Sequence, residues 1–347
     1  MTRKPEPLVS VVTPVYNGEE HLRQCIESVL GQTFTNWDYT IVNNRSTDRT
    51  LEIAQEYAAR DPRIRIHDNE TFVRAIANHN IAFRQISPDS KYCKVLAADD
   101  WLFPECLEKM VQLAEEHPRV VLVAAYGLQG TTVAKVVYDD VIPEQRSVVP
   151  GRDACRWRLL GGKYIFGAPT AVLFRSETVR SRPSFYDESN LHADSAANFE
   201  LLEHQDLGFV HQVLSFRRER EASLTTFSMD FNTYISCRLY ELVTYGPRYL
   251  TEEEQTRRLR ESLKAYYHYL AKQVYERRGP QFWNFHRSKL AQVGLPLRRS
   301  RLAAAVVVYT LDLLLNPKST IEGVSRRLRR MYSQLRRTPD QGTRALP

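Results

Sequence analysis

The feature that most constrains the fold of this chain is the alternation of short β-branched runs with helical patterns in its first half. Runs typical of buried strands occur at residues 9–13, 39–42, 63–67, 92–97 and 120–126. Between them, apolar residues recur at helical spacing. Strands that alternate with helices predict a largely parallel sheet with crossover helices. The predicted fold class is therefore α/β, with a mostly parallel central sheet flanked by helices.

The second half of the chain follows a different pattern. From about Val141 the alternation weakens, and from about Phe231 onward the sequence pattern is helical and rich in tyrosine and arginine. We therefore predict two parts, an α/β domain at residues 1–228 and a helical C-terminal region at residues 229–347.

The net charge of +7 is concentrated near the C-terminus. Between Pro296 and Arg337 ten lysines and arginines stand against only Asp312 and Glu322, so the rest of the chain is close to neutral. In this tail, apolar residues recur at helical spacing among the arginines; they are Val324, Leu328, Met331 and Leu335. The pattern is typical of a helix on an anionic membrane surface, and equally of a helix packed on the protein's own core. No nucleic-acid-binding motif accompanies the basic residues, so no nucleic-acid partner is expected.

The cysteines and the N-terminus bear on the compartment. All five cysteines stand singly, without metal-ligand spacing, as reduced packed thiols do. Residues 1–7 are short and polar and lack the apolar stretch of a signal peptide. We expect a cytoplasmic protein, either soluble or peripheral at the inner face of the cell membrane.

Three polar clusters follow strands of the predicted sheet, and in open α/β sheets ligands bind at the carboxyl ends of the strands. The clusters lie at residues 14–17, at residues 43–46 and at Asp99-Asp100. Two adjacent carboxylates repel unless they share a cation, and oxygen ligands favour Mg²⁺ or Mn²⁺. Such a pair also occurs in solvated turns.

Five segments in fixed order carry a family resemblance. They are VSVVTPVYNG (9–18), SVLGQT (28–33), IVNNRSTDRT (41–50), ANHNI (77–81) and KVLAADDWLFP (94–104). Together they resemble the successive motifs of family-two glycosyltransferases, and the resemblance covers about residues 8–225. It implies the GT-A fold, with a donor-binding part at about 8–126, an acceptor-side part at about 127–228 and a helical C-terminal extension.

The resemblance also implies how a nucleotide-sugar donor is bound. Pro14 and Tyr16 match the positions that hold the nucleotide base. Asn43 and Asn44 match positions that are usually acidic and contact the base. Asn78 matches an asparagine that lines the donor pocket.

The catalytic and metal-binding positions follow from the same resemblance. Asp99 matches the aspartate directed at the ribose or diphosphate, and Asp100 the ligand of a divalent metal, Mn²⁺ or Mg²⁺. In the family an acidic motif at a helix start supplies the general base; here that stretch includes Asp194, which could otherwise be a helix N-cap.

These features predict an inverting, metal-dependent hexosyltransferase of cell-surface polysaccharide or glycolipid assembly, acting on a glycan or lipid-linked acceptor. Asn43, Asn44, Ala97 and Ala193 depart from the acidic residues common in the family. Asn43, Asn44 and Ala97 keep open a catalytically silent nucleotide-sugar-binding or scaffold protein. A nucleotidyltransferase is disfavoured, because residues 9–18 lack a loop rich in glycine and basic residues.

Overall fold

The computed structural model describes residues 7–130, 134–137, 142–219 and 224–315. The chain divides into two compact units. The first comprises Met1–Glu221 with Arg248–Leu250, and the second comprises Ala222–Pro247 with Thr251–Pro347.

The first unit is built on a ten-stranded sheet. Its strands are β1 (Val9–Val15), β2 (Trp37–Asn43), β3 (Ile64–Asp68), β4 (Tyr92–Val95), β5 (Trp101–Leu102), β6 (Val120–Gly130), β7 (Ala134–Val137), β8 (Val148–Pro150), β9 (Val172–Arg175) and β10 (Asp206–Arg218). The strand order is β3-β2-β1-β4-β9-β6-β10-β5, with β7 added beside β6 and β8 beside β10.

The sheet is mixed, and its parallel part is the half that the sequence pattern predicted. Strands β3, β2, β1 and β4 run parallel to one another, whereas β9 runs antiparallel to both β4 and β6. Strands β6 and β10 are again parallel. The local pattern of β9 could not show its direction, because direction depends on which strands it pairs with.

The helices of the first unit connect these strands. They are α1 (Leu22–Leu30), α2 (Thr50–Ala58), α3 (Ala75–Arg84), α4 (Cys106–Glu116), α5 (Gly151–Leu159), α6 (Ser176–Arg180) and α7 (Ala193–Leu201), with a 3-10 turn at Pro169–Ala171. Helix α1 buries Leu22, Cys25, Ile26 and Val29 against the sheet, as its spacing predicts. All seven residues of β1 are buried, which makes this strand the centre of the core.

The second unit is helical in the described range. It contains α8 (Leu224–Phe231), most of α9 (Thr233–Tyr249), α10 (Glu252–Tyr275), α11 (Pro280–Gln292) and α12 (Arg299–Leu315). Its core packs Leu239 with Tyr266, Leu270, Phe282 and Leu290. Thr251 and Glu254 form a reciprocal capping box at the start of α10. The stripe predicted at residues 324–335 lies outside the described residues.

No helix in the described ranges is both long and apolar enough to cross a membrane.

Candidate active site

The ends of the first parallel strands bring the predicted donor-binding residues to one edge of the sheet. Val15 pairs with Asn43, and Asn43 pairs with Asp68 of the next strand. The Asn44 amide N–H donates to the Val15 carbonyl at 2.8 Å, which continues the pairing beyond β1. Parallel strands end at the same edge, so the residues that follow them converge there.

The loop after β1 is fastened to the loop after β2 by side-chain hydrogen bonds. Asn17 adopts a left-handed conformation, with φ of 50°, and its backbone N–H donates to Ser46 Oγ at 3.0 Å. Thr47 N–H returns a bond to Asn17 Oδ1 at 2.8 Å, and Gly18 N–H donates to Thr50 Oγ1 at 2.7 Å. The hydroxyl-rich motif at 41–50 therefore fixes the shape of the rim.

Neither Ser46 nor Thr47 caps the start of α2. The N-cap position is Arg49, without a side-chain cap, and the Asp48 carboxylate accepts from Thr50 N–H at 3.0 Å. Ser46 and Thr47 instead bond to Asn17, because the folded rim brings that residue within reach.

Two exposed aromatic rings face each other at this rim. Tyr16, directly after β1, and Phe72, between β3 and α3, lie with ring centroids 4.9 Å apart in an edge-on arrangement. Both side chains are more than 40% exposed. Such a pair offers an apolar surface to a planar ring. Phe72 escaped the sequence analysis because no motif contains it.

Asn44 lies in a buried network of three amides. Its Nδ2 donates to the Val73 carbonyl at 2.8 Å, and its Oδ1 accepts from Val73 N–H and from Asn69 Nδ2 at 2.9 and 3.0 Å. Asn69 Nδ2 also donates to Asn78 Oδ1 at 2.9 Å. The network ties the end of β2 to the segment before α3 and to α3 itself. Both polar atoms of the Asn44 side chain are thus engaged within the protein.

The Asn43 side chain contacts a carboxylate on the neighbouring strand β3. Asn43 Nδ2 donates to Asp68 Oδ1 at 2.7 Å, and Arg45 forms a 3.4 Å ion pair with Asp68 Oδ2. The Asp68 side chain remains 35% exposed at the end of β3. Sequence reasoning missed Asp68, since only the pairing of β2 with β3 places it beside Asn43.

Asp100 is buried and held from two sides. Its Oδ2 accepts from Thr170 Oγ1 at 2.6 Å, and its Oδ1 accepts from the Arg218 backbone N–H at 2.9 Å. Burial first, and the charge of Asp99 second, raise the pKa of Asp100 to about 7. Asp99 is the more exposed of the pair.

A buried lysine supports this arrangement. Lys94 of β4 is fully buried, and its Nζ donates to the carbonyls of Thr170 and Val172 at 2.7 and 3.2 Å. Burial lowers the pKa of Lys94. Because Lys94 holds the backbone of Thr170, it orients the hydroxyl that donates to Asp100.

The aspartate pair fits a divalent cation that takes its remaining ligands from a bound molecule. The described residues contain no group of three or more His, Cys, Asp or Glu that could hold a metal ion by themselves. A carboxylate has about four lone-pair sites, so two hydrogen bonds leave Asp100 able to coordinate. A cation beside it would also offset the cost of a buried charge.

Asp194 lies on a separate element, in the first turn of α7. The N-cap of that helix is His192, so the interpretation of Asp194 as the N-cap is wrong. Its negative charge contributes to raising the pKa of the buried Tyr186 hydroxyl, although burial has the larger effect.

Asn80 connects α3 to the segment that leads into α7. Its Nδ2 donates to the Tyr186 carbonyl, and its Oδ1 accepts from Tyr186 N–H, both at 2.8 Å. Within the ANHNI segment, Asn78 therefore belongs to the amide network, and Asn80 links α3 to the segment before α7. The sequence analysis singled out only Asn78.

The sheet and the polar groups at its edge define an α/β protein with a candidate ligand site at the strand ends. Residues 10–180 match the sequence model of glycosyl transferase family 2, and this part of the chain belongs to that family. The family predicted from the five motifs is confirmed.

Among the relatives, a segment of 162 residues is 32% identical to the protein EpsE of Bacillus subtilis (strain 168) and covers 44% of this chain and 56% of EpsE. The chain thus spans about half the length of that relative. Glycosyltransferase GlyG of Streptococcus pneumoniae serotype 4 is 25% identical over 236 residues, which cover 65% of this chain and 75% of GlyG.

Two solved structures share the fold. The crystal structure of Staphylococcus aureus TarS 1–349 in complex with UDP-GlcNAc has a TM-score of 0.56 at 18% identity, over 74% of this chain and 71% of that one. Mannosyltransferase PcManGT from Pyrobaculum calidifontis, in complex with GDP-Man and Mn²⁺, has a TM-score of 0.55 at 11% identity, over 90% and 88%. The predicted GT-A fold class, with its helical C-terminal region, is confirmed.

Proposed function

We propose that this protein is an inverting glycosyltransferase that moves a sugar from a nucleotide-diphosphate donor to an acceptor hydroxyl. The observation that carries the proposal is the buried Asp100 beside Asp99, at the same sheet edge as the Asn44 network, in a chain of this family. The acceptor is a glycan or a lipid-linked glycan in cell-surface polysaccharide assembly, and the enzyme works in the cytoplasm.

The donor's base would lie at the rim formed by the loops after β1, β2 and β3. Pro14 and Tyr16 form one side, and the exposed Phe72 ring beside Tyr16 extends that surface. Asn43 and the Asp68 carboxylate that it contacts supply the polar edge. Asn44 and Asn78 contribute by holding the wall of the donor pocket in place, because their amides bond to Asn69.

The donor's diphosphate would lie at the aspartate pair, with Asp99 toward the ribose or diphosphate and Asp100 as the protein ligand of Mn²⁺ or Mg²⁺. When bound there, such a cation neutralises the charge that develops on the departing nucleoside diphosphate. The hydrogen bonds from Thr170 and Arg218 keep the Asp100 carboxylate in one orientation. The PcManGT complex with GDP-Man and Mn²⁺ supports a metal-assisted donor site in this fold.

Asp194 would act as the general base. As the acceptor oxygen attacks the anomeric carbon from the face opposite the diphosphate, Asp194 accepts the proton of the hydroxyl. The bond from the anomeric carbon to the diphosphate oxygen breaks in the same displacement, and the configuration at that carbon inverts.

The assignment of the aspartate pair is tested by Asp100→Asn and Asp99→Asn, with Asp89→Asn as the control. Asp89 is exposed, so its substitution removes a carboxylate without touching the site. We expect Asp100→Asn to abolish the Mn²⁺-dependent thermal shift with donor, and Asp99→Asn to weaken donor affinity by about tenfold, as loss of a charged contact does.

Unfolding in the absence of ligand must stay cooperative in all three variants. An unchanged Mn²⁺-dependent thermal shift in Asp100→Asn would contradict the metal assignment. Complete loss of that shift in Asp99→Asn alone would identify Asp99 as the metal ligand instead.

A further inference from the structure

Helix α12 presents an exposed apolar face. No residue of this helix is buried, and five large apolar side chains are 50–82% exposed; they are Val307, Val308, Leu311, Leu314 and Leu315. Positions three, four, seven and eight residues apart lie on the same side of a helix, so these side chains form one continuous stripe. Contiguous apolar surface of this kind marks a site of interaction.

A cationic groove adjoins this face. It has a volume of about 520 Å³ and lies between α10 and α12. Arg260 and Lys264 line it from α10, and Arg301 lines it from α12. None of these three side chains has an ion pair or a side-chain hydrogen bond within the described part of the chain. Ala304 belongs to both surfaces, since it lines the groove and stands one helical turn before Val307.

We propose that the face of α12 and the groove beside it dock onto an anionic lipid bilayer. The helix would lie in the plane of the interface, with Val307, Leu311 and Leu314 at the acyl boundary. Arg260, Lys264 and Arg301 would contact headgroup phosphates. The proposal stands on the second unit alone and does not depend on the glycosyltransferase assignment.

Charge decides between a bilayer and a second copy of the chain. A second copy would bring its own Arg260, Lys264 and Arg301 toward the same three cations, and the like charges would repel. An anionic bilayer would instead neutralise them. Asp312 follows Leu311 and lies ~100° away around the helix, at the border of the apolar face, where its carboxylate can stay in water.

The apolar face is tested with full-length Val307→Gln/Leu311→Gln in sedimentation with phosphatidylglycerol-containing vesicles. Both side chains are exposed and glutamine is a good helix former, so the fold should remain intact. We expect vesicle partitioning to fall at least about tenfold. The matched control, Val136→Gln/Met229→Gln, removes two exposed apolar side chains elsewhere and should bind as the parent does.

The groove is tested with Arg260→Gln/Lys264→Gln against the control Arg257→Gln/Lys272→Gln, which removes the same charge from the same helix outside the groove. The groove variant should lose about tenfold in partitioning on anionic vesicles, and neutral phosphatidylcholine vesicles should retain little of any protein.

Equal sedimentation of the parent and both test variants, with or without vesicles, would overturn the proposal. So would a stable dimer in solution that Val307→Gln/Leu311→Gln dissociates, because the face would then belong to a second copy.

Discussion

At position 44, where the resemblance to family-two glycosyltransferases implies a carboxylate, the chain has an asparagine, and the structure gives it a physical role. Its side chain accepts from two N–H groups and donates to one carbonyl while almost fully buried. An amide can do both, whereas a carboxylate can only accept and would be costly to bury. Asp68 meanwhile supplies a carboxylate one strand away, bonded to Asn43. These two observations favour a working donor pocket despite the departures from the family pattern.

Asp194→Asn tests the general base at the residue scale. Asparagine keeps the size of the side chain but cannot accept the proton, so we expect turnover to fall by roughly a hundredfold or more with little change in donor binding. The measurement is the steady-state rate of nucleoside diphosphate release, with Asp153→Asn as the control, because Asp153 likewise lies in the first turn of its helix, α5. If Asp194→Asn loses only thermal stability and keeps its rate per folded molecule, the base lies elsewhere.

At the scale of elements, local patterns predicted the strands and helices of the first half, whereas long-range pairing determined the site's supporting contacts. Thr170 reaches Asp100 across 70 residues of sequence, and Asp68 reaches Asn43 across 25. The motifs predicted which residues would contact the donor. The residues that support those side chains, such as Thr170 and Asp68, could be identified only from the structure.

Helices α10 and α11 meet at a buried histidine whose protonation should weaken the fold. His286 Nδ1 lies 2.7 Å from Tyr266 Oη, and burial lowers the pKa of His286 to about 4. The unfolded pKa is about 6.5, so the unfolded chain binds more protons between these values. The contribution of neutral His286 to the free energy of unfolding should therefore be fully present above pH ~6.5 and fall by about 3 kcal/mol as the pH falls to ~4.

This effect is measured as the free energy of unfolding in urea at a series of pH values, with the unfolding monitored by hydrogen exchange of the amides in α10 and α11. His286→Gln should flatten the pH dependence, whereas His204→Gln, which changes an exposed histidine, should leave it as in the parent. The slope of stability with pH is the readout, because a buried substitution lowers stability at every pH. An unchanged slope in His286→Gln would refute this explanation.

At the scale of the whole molecule, the chain combines a family-two α/β unit with a helical unit that carries the exposed face of α12. The change of sequence pattern near residue 230 led to the prediction of two parts, and the five ordered motifs predicted the family. The sequence could not indicate that Phe72 and Asp68 lie at the rim, because both are outside every motif. Phe72 reaches Tyr16 from the loop after β3, and Asp68 meets Asn43 only through the pairing of β2 with β3.

In the proposed function, the sheet edge binds and turns over a nucleotide-diphosphate sugar. The most direct measurement is nucleoside diphosphate release from a panel of UDP-, GDP- and dTDP-sugars, with Mn²⁺ or with EDTA, alongside thermal unfolding of the same mixtures. One nucleotide class should stabilise the protein by about 3 kcal/mol at a hundredfold excess over its Kd and should release its diphosphate only with the metal. Stabilisation by donor sugars without release of nucleoside diphosphate from any of them would indicate a silent binding protein. The absence of both stabilisation and release with every donor would contradict the proposed function.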